Sequence, residues 1–126
     1  MGIVKAILKV SNPVAPSLKS MEVEMLVDTG ATFLCLPEHI ATQLQLKELQ
    51  KREVILANGH TELVSYVGPV RLEFENRICM VGAMILGNQP LLGVIPMEDM
   101  DLVVHPLYFK LSVNPANPNI ATGLAM

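Results

Sequence analysis

Charged side chains are scarce in this 126-residue chain: Asp, Glu, Lys and Arg make up 17% of it, against about 25% in an average soluble protein. Hydrophobic residues reach 51%. A small domain has proportionally more surface to cover with polar groups, so this surplus implies that part of the exterior is buried against another subunit. A homodimer is the simplest such arrangement. The nine basic residues are scattered and the net charge is −3, which leaves no basic stripe to neutralise phosphates and argues against nucleic acid as a direct ligand. No apolar run approaches the roughly 20 residues of a membrane helix. The longest candidate, Met80 to Leu86, is broken by Gly82 and ended by Gly87, so no membrane location is expected.

Other signals are equally sparse. The N-terminal stretch Met1 to Ile7 alternates like a strand and lacks the basic start and continuous apolar segment of a secretory signal. Two cysteines, Cys35 and Cys79, are too few for a disulfide framework. Together these features predict a cytoplasmic protein with free, mostly buried thiols. His39, His60, His105 and the two cysteines show no close metal-ligand spacing, so neither a metal nor a cofactor is expected. The eight methionines are dispersed and read as packing and interface fillers, not as a copper-binding set. Cys35 sits in an apolar run and reads as a small core residue.

What is present centres on Met25-Leu26-Val27-Asp28-Thr29-Gly30-Ala31. The apolar run before Asp28 reads as a strand entering a core, and Asp-Thr-Gly stops it at a tight turn. Buried strand ends rarely carry an unpaired acid. Asp28 is therefore either a turn cap satisfied by the following amides or a catalytic carboxylate.

Around this point the chain punctuates itself clearly. Strands are predicted over Ile3 to Val10 and from about Ser20 to Val27, with a loop between. A short strand over 33–36 leads into a helix whose first turn holds Pro37 and which ends near Leu46. Val54 to Ala57 and Leu63 to Val67 flank Asn58-Gly59, a dipeptide that favours a tight hairpin turn because both residues tolerate positive φ. Val70 to Phe74 alternates, turns at Glu75-Asn76 and returns through Ile78 to Leu86. After the loop Gly87 to Pro90 come Leu91-Leu92-Gly93, one or two helical turns over Pro96 to Met100, and closing strands over 101–104 and 107–113. No linker divides the chain, which predicts one domain over residues 1–113 and an irregular tail over 114–126, rich in turn formers.

The order of these features resembles the retropepsin-like aspartic proteases: Asp-Thr-Gly-Ala, an apolar strand, a hairpin, a long strand pair, an apolar-apolar-glycine element and a terminal helix. The resemblance covers nearly the whole chain to about Val113 and points to a cellular, non-viral member. It implies an all-β, closed-barrel-like fold with one or two short helices. It also implies a homodimer in which each subunit contributes one Asp28 to a shared site. Thr29 would bind the partner's backbone beneath the pair, Gly30 would let substrate backbone come close, and Ala31 would support the active site. Leu91, Leu92 and Gly93 would form the loop packed behind the aspartate turn. Ala57, Asn58, Gly59 and His60 would tip a flap over bound peptide, with Gln89 and Pro90 in a loop lining the substrate.

The implied activity is hydrolysis of peptide bonds in extended, largely apolar segments. Two carboxylates about 3 Å apart cannot both ionise cheaply and share a proton. One then takes a proton from a bound water while the other supplies one to the scissile carbonyl or leaving amine. A non-catalytic dimeric module of the same fold, binding peptides or proteins, is the alternative. Two departures from the family pattern matter, one a pair of positions and the other a single one. Thr32 and Val94 stand where viral members often carry a structural acid and arginine. Ala31 stands where two-domain pepsins commonly have serine, removing a hydroxyl that favours the ionised carboxylate, so activity is expected nearer neutrality than pepsin's.

Overall fold

The computed structural model describes residues 3–125. Met1 and Gly2, read above as part of the first strand's approach, and Met126 of the tail lie outside them. The main elements are β1 (Val4–Ser11), β2 (Met21–Val27), β3 (Leu34–Leu36), α1 (Glu38–Gln43), β4 (Lys47–Ile55), β5 (Thr61–Phe74), β6 (Arg77–Ile85), β7 (Leu91–Leu92), α2 (Val94–Asp99), β8 (Leu102–His105) and β9 (Lys110–Val113). Strands are joined in the order β1-β2-β7-β3-β6-β5-β4, and β1 also pairs with β5. That last pairing closes β1, β2, β7, β3, β6 and β5 into a six-stranded barrel.

Alternation drives the closure. Val4, Leu8 and Val10 of β1 are buried while Lys5, Ile7 and Lys9 are exposed; β2 buries Val23, Met25 and Val27 and exposes Glu22 and Glu24. With Leu34, Leu36, Val70, Leu72, Ala83 and Leu92 these residues fill the barrel. Each fully buried Leu or Val contributes about 1.5–3 kcal/mol relative to exposure. Asn12, 8% exposed, donates from Nδ2 to the Leu44 carbonyl at 2.9 Å, satisfying an orphan carbonyl where α1 ends.

β5 has two jobs. Its second half pairs with β1 at Arg71 to Glu73, and its first half pairs with β4 from Gly68 to Thr61. The ladder to β6 begins only at Tyr66, so β4 and residues 61–66 form a two-stranded arm that extends beyond the barrel, with Tyr66 at its base. Val54, Val64 and Tyr66 of this arm pack with Phe33, Cys35, Met84, Leu86 and Leu91 in a second, smaller apolar cluster.

Several expected boundaries shift. β4 begins at Lys47, well before Val54: its polar first half has no hydrophobic alternation and is held by the backbone ladder to β5 and by side-chain bonds of Glu48 and Lys51 with Ser65. The two expected strands 63–67 and 70–74 are one strand carried through an irregularity at Gly68-Pro69, where the register with β6 shifts and both halves stay paired with it. α1 spans only Glu38–Gln43; Pro37 is its N-cap and Gln45 turns left-handed at φ 53°. α2 begins at Val94. The expected strand 107–113 is shortened to β9 by a 3-10 turn over Pro106–Tyr108, with Phe109 at φ 51° reversing the chain.

The tail is irregular but anchored. Asp101 accepts from the side-chain amides of Asn114 at 3.0 Å and Asn117 at 2.8 Å and from the Thr122 N–H at 3.1 Å. Arg77, 2% exposed, donates from Nη2 to the Asn117 carbonyl. Hydrogen bonds from Asn114, Thr122 and Asn117 hold the Asp101 carboxyl below the usual carboxylate range. A group depressed in the folded state stabilises above its unfolded value, about 3.9, and loses that contribution as pH falls further. Asp101→Asn should therefore lower stability at neutral pH and flatten the acid limb below about pH 4 in urea melts across pH; an acid limb as steep as wild type contradicts this account.

Candidate active site

Asp28 follows the last residue of β2. Its N–H donates to the Leu92 carbonyl at 3.0 Å, and the Leu26 N–H donates to the Pro90 carbonyl at 2.9 Å, so the β2 to β7 ladder runs directly into the acid. The chain then reverses: Ala31 N–H donates to the Asp28 carbonyl at 3.1 Å. Gly30 N–H donates to Asp28 Oδ1 at 2.9 Å. A Cβ on Gly30 would lie 3.2 Å from that oxygen, tighter than most side chains accept. The turn cap is therefore real, and it accounts for only one of the two carboxylate oxygens. Among the described residues no hydrogen bond reaches Oδ2. The cap orients the half-buried carboxylate and leaves an oxygen for another partner.

β7 holds the turn from behind. Val94 N–H donates to the Ala31 carbonyl and Ile95 N–H to the Thr32 carbonyl, both at 2.9 Å, so backbone bonds tie together the segments carrying Thr32 and Val94. Gly93 lies where the two segments cross. A Cβ there would be 2.4 Å from the Phe33 carbonyl oxygen and 2.7 Å from its nitrogen, and backbone atoms cannot move aside. Leu92 is fully buried in the main core, and Leu91 packs in the second cluster.

Asp28, Thr29, Gly30 and Ala31 are thus brought together with Pro90, Leu91, Leu92 and Gly93. The Thr29 side chain is exposed. Gln89 is exposed and reaches only the neighbouring Pro90 carbonyl, at 3.3 Å. Ala57, Asn58, Gly59 and His60 form the exposed tip of the β4–β5 arm, and no hydrogen bond among the described residues ties them to the aspartate turn. Their bonds are internal: Leu56 N–H to His60 O at 2.8 Å, Gly59 N–H to Leu56 O at 2.9 Å, and His60 N–H to Asn58 Oδ1 at 3.0 Å. Only Gly59, at φ 86°, is left-handed. The tip is a three-residue loop with glycine in the left-handed position, in place of the tight turn with positive φ at both Asn58 and Gly59.

Cys35, on β3 beside this site, is buried and free. Burial pushes its thiol up, and the nearby Asp28 charge adds to the shift, so it stays protonated and unreactive. Burial and then Asp99 push Cys79 up to about 12. Among the described residues no group of His, Cys, Asp and Glu is arranged to hold a metal ion, and no helix is long and apolar enough to cross a membrane. The sequence reading overlooked Arg52 and Tyr66, which border the cavity beside Phe33. Its available signal was Gly82, a glycine inside a strand, which marks a close approach.

The closed barrel, its two short helices and the loop crossed behind Asp28 define a retropepsin fold. Solved structures agree: EIAV protease complexed with the inhibitor HBY-793 is similar over 78% of this chain and 88% of its own, with a TM-score of 0.56 at 16% identity. Residues 16–98 match the family described as "gag-polyprotein putative aspartyl protease", and the chain belongs to that family. No curated protein matches it significantly.

Gly93→Ala should lower stability by about 1–3 kcal/mol, the usual cost of forcing atoms into packed space, because the methyl meets backbone on two sides. Thermal denaturation checks this, and a melting temperature equal to wild type contradicts the crossing described here.

Proposed function

We propose that the protein is an aspartic endopeptidase whose active site forms when two chains bring their Asp28 carboxylates together. One observation carries the reading: in a member of an aspartyl protease family, Asp28 has Oδ1 fixed by the Gly30 N–H and, among the described residues, Oδ2 without a hydrogen-bond partner. A carboxylate so held is oriented for a second carboxylate and a shared water. One chain holds half of such a site.

In the pair, one Asp28 takes a proton from the water and the other, protonated, supplies one to the scissile carbonyl or leaving amine. No covalent enzyme intermediate arises. Thr29, exposed beside the turn, binds the partner's backbone. Gly30 and Ala31 leave room for substrate backbone, and the tip from Ala57 to His60 closes over an extended peptide, excluding water. Gln89 and Pro90 line the approach. The substrate is a peptide or protein, no cofactor is needed, and free buried thiols suit a reducing, cytoplasmic setting.

The dimer is supported by surface apolarity. Leu107, Tyr108 and Phe109, between β8 and β9, are 86%, 76% and 55% exposed, a cluster that a lone chain gains nothing by displaying to water. Asp28→Asn should cut cleavage of a diverse peptide mixture at least about 100-fold, and wild-type rate per subunit should fall on dilution below the dimer dissociation constant. Cleavage that survives the substitution overturns the assignment. A folded variant that still binds peptide, from a wild type that never cleaves, would favour the non-catalytic module instead.

A further inference from the structure

Under the base of the β4–β5 arm is a cavity of about 470 Å³ that the chemistry above does not use. Phe33 lies in its wall, on the segment leaving Asp28, with Leu49 and Tyr66 of the arm, Met80 of β6 and Ile95 of α2. Among the described residues, Arg52 is the one charged residue that lines it. Glu98 and Asp99 line the neighbouring cavity and not this one.

Arg52 is held in place. Its guanidinium carbon sits 4.0 Å from the Tyr66 ring centroid and 5.8 Å from that of Phe33, a cation–π stack. With the Gln50 amide turned so that its oxygen accepts, Arg52 Nε and Nη2 donate to it at 2.9 and 3.1 Å. Tyr66 is seated by an absence: a Cβ on Gly82 would come within 2.1 Å of the Tyr66 Cζ. Gly82, Tyr66 and Arg52 therefore form a built stack. Among the described residues no carboxylate pairs with Arg52 and Nη1 has no hydrogen-bond partner. A half-buried cation against apolar walls, positioned but unpaired, is suited to an incoming anion.

We infer that this cavity is a subsite for an acidic side chain of the peptide substrate, glutamate above all, with Arg52 as the specificity-determining residue. The inference rests on the protease reading. The glutamate methylenes lie along Phe33, Met80 and Ile95 while the carboxylate meets the free edge of a planar guanidinium. Aspartate is one methylene too short to do both, and lysine is repelled. Because the paired site is two-fold symmetric, each subunit offers one such cavity, and the selection falls at equivalent positions on both sides of the scissile bond.

Cleavage profiling of a peptide library by wild type, Arg52→Gln and Arg52→Glu tests this. Wild type should prefer Glu over Gln about tenfold in kcat/KM at one position on each side of the cut, as a charge-assisted contact permits. In Arg52→Gln the ratio falls to about one, and Arg52→Glu turns the preference to lysine. A Glu preference that persists in Arg52→Gln, or none in wild type, overturns the subsite. Peptide binding to Asp28→Asn by fluorescence polarisation separates the two claims. If nothing is cleaved but Glu-containing peptides bind more tightly than Gln-matched ones, and Arg52→Gln erases the difference, the subsite stands while the protease reading fails. Equal binding, or binding of neither, overturns the subsite.

Discussion

The structure depends on a crossing of two chain segments that hydrogen-bond as they pass. Residues 28–33 and 90–95 exchange bonds in which the N–H groups of Asp28, Val94 and Ile95 donate to the carbonyls of Leu92, Ala31 and Thr32, and Gly93 is the point where they touch. β7 is only two residues long, yet it sits between β2 and β3 and completes the barrel. Remove its bonds and the barrel opens beside the acid. The same contact that closes the sheet therefore fixes the direction of the Asp28 backbone, and the Gly30 amide then fixes the carboxylate. Stability and site geometry are one arrangement here.

The second apolar cluster gives the arm its place. Val54, Val64 and Tyr66 pack against Phe33, Cys35 and Leu91, residues next to the aspartate turn or behind it. Burial there is small compared with the barrel, so the arm is the region most easily loosened. Among the described residues, its tip makes only its own hydrogen bonds. A hairpin with a packed base and an independent tip is mechanically fit to open and close over a ligand, and the Arg52 stack lies at the base, where position is held.

Much of this was legible in the sequence. Alternation in β1 and over Val70 to Phe74 of β5 predicted their faces, and Asp28-Thr29-Gly30 with Leu91-Leu92-Gly93 predicted which segments meet. Lys47 to Glu53 escaped because a strand exposed on both faces leaves no periodic signal; its partner strand, not its own pattern, makes it a strand. Arg52 was hidden for the same reason, inside a polar run whose companions face water. Phe109 and Gln45 adopt left-handed backbone that no glycine or asparagine advertised. The docking of the tail was invisible too, since Arg77 and Asp101 are distant in sequence and meet as an ion pair and through Asn117.

The central claim is that a working site needs an Asp28 from each of two chains. Mixing wild type with Asp28→Asn at fixed total concentration, well above the dimer dissociation constant and after subunit exchange, tests it directly. With random pairing, a mixture of equal parts should retain about one quarter of the wild-type rate, because only wild-type pairs hold two carboxylates. A mixture retaining about one half, in simple proportion to the wild-type chains present, would show that each chain acts alone and would contradict the account.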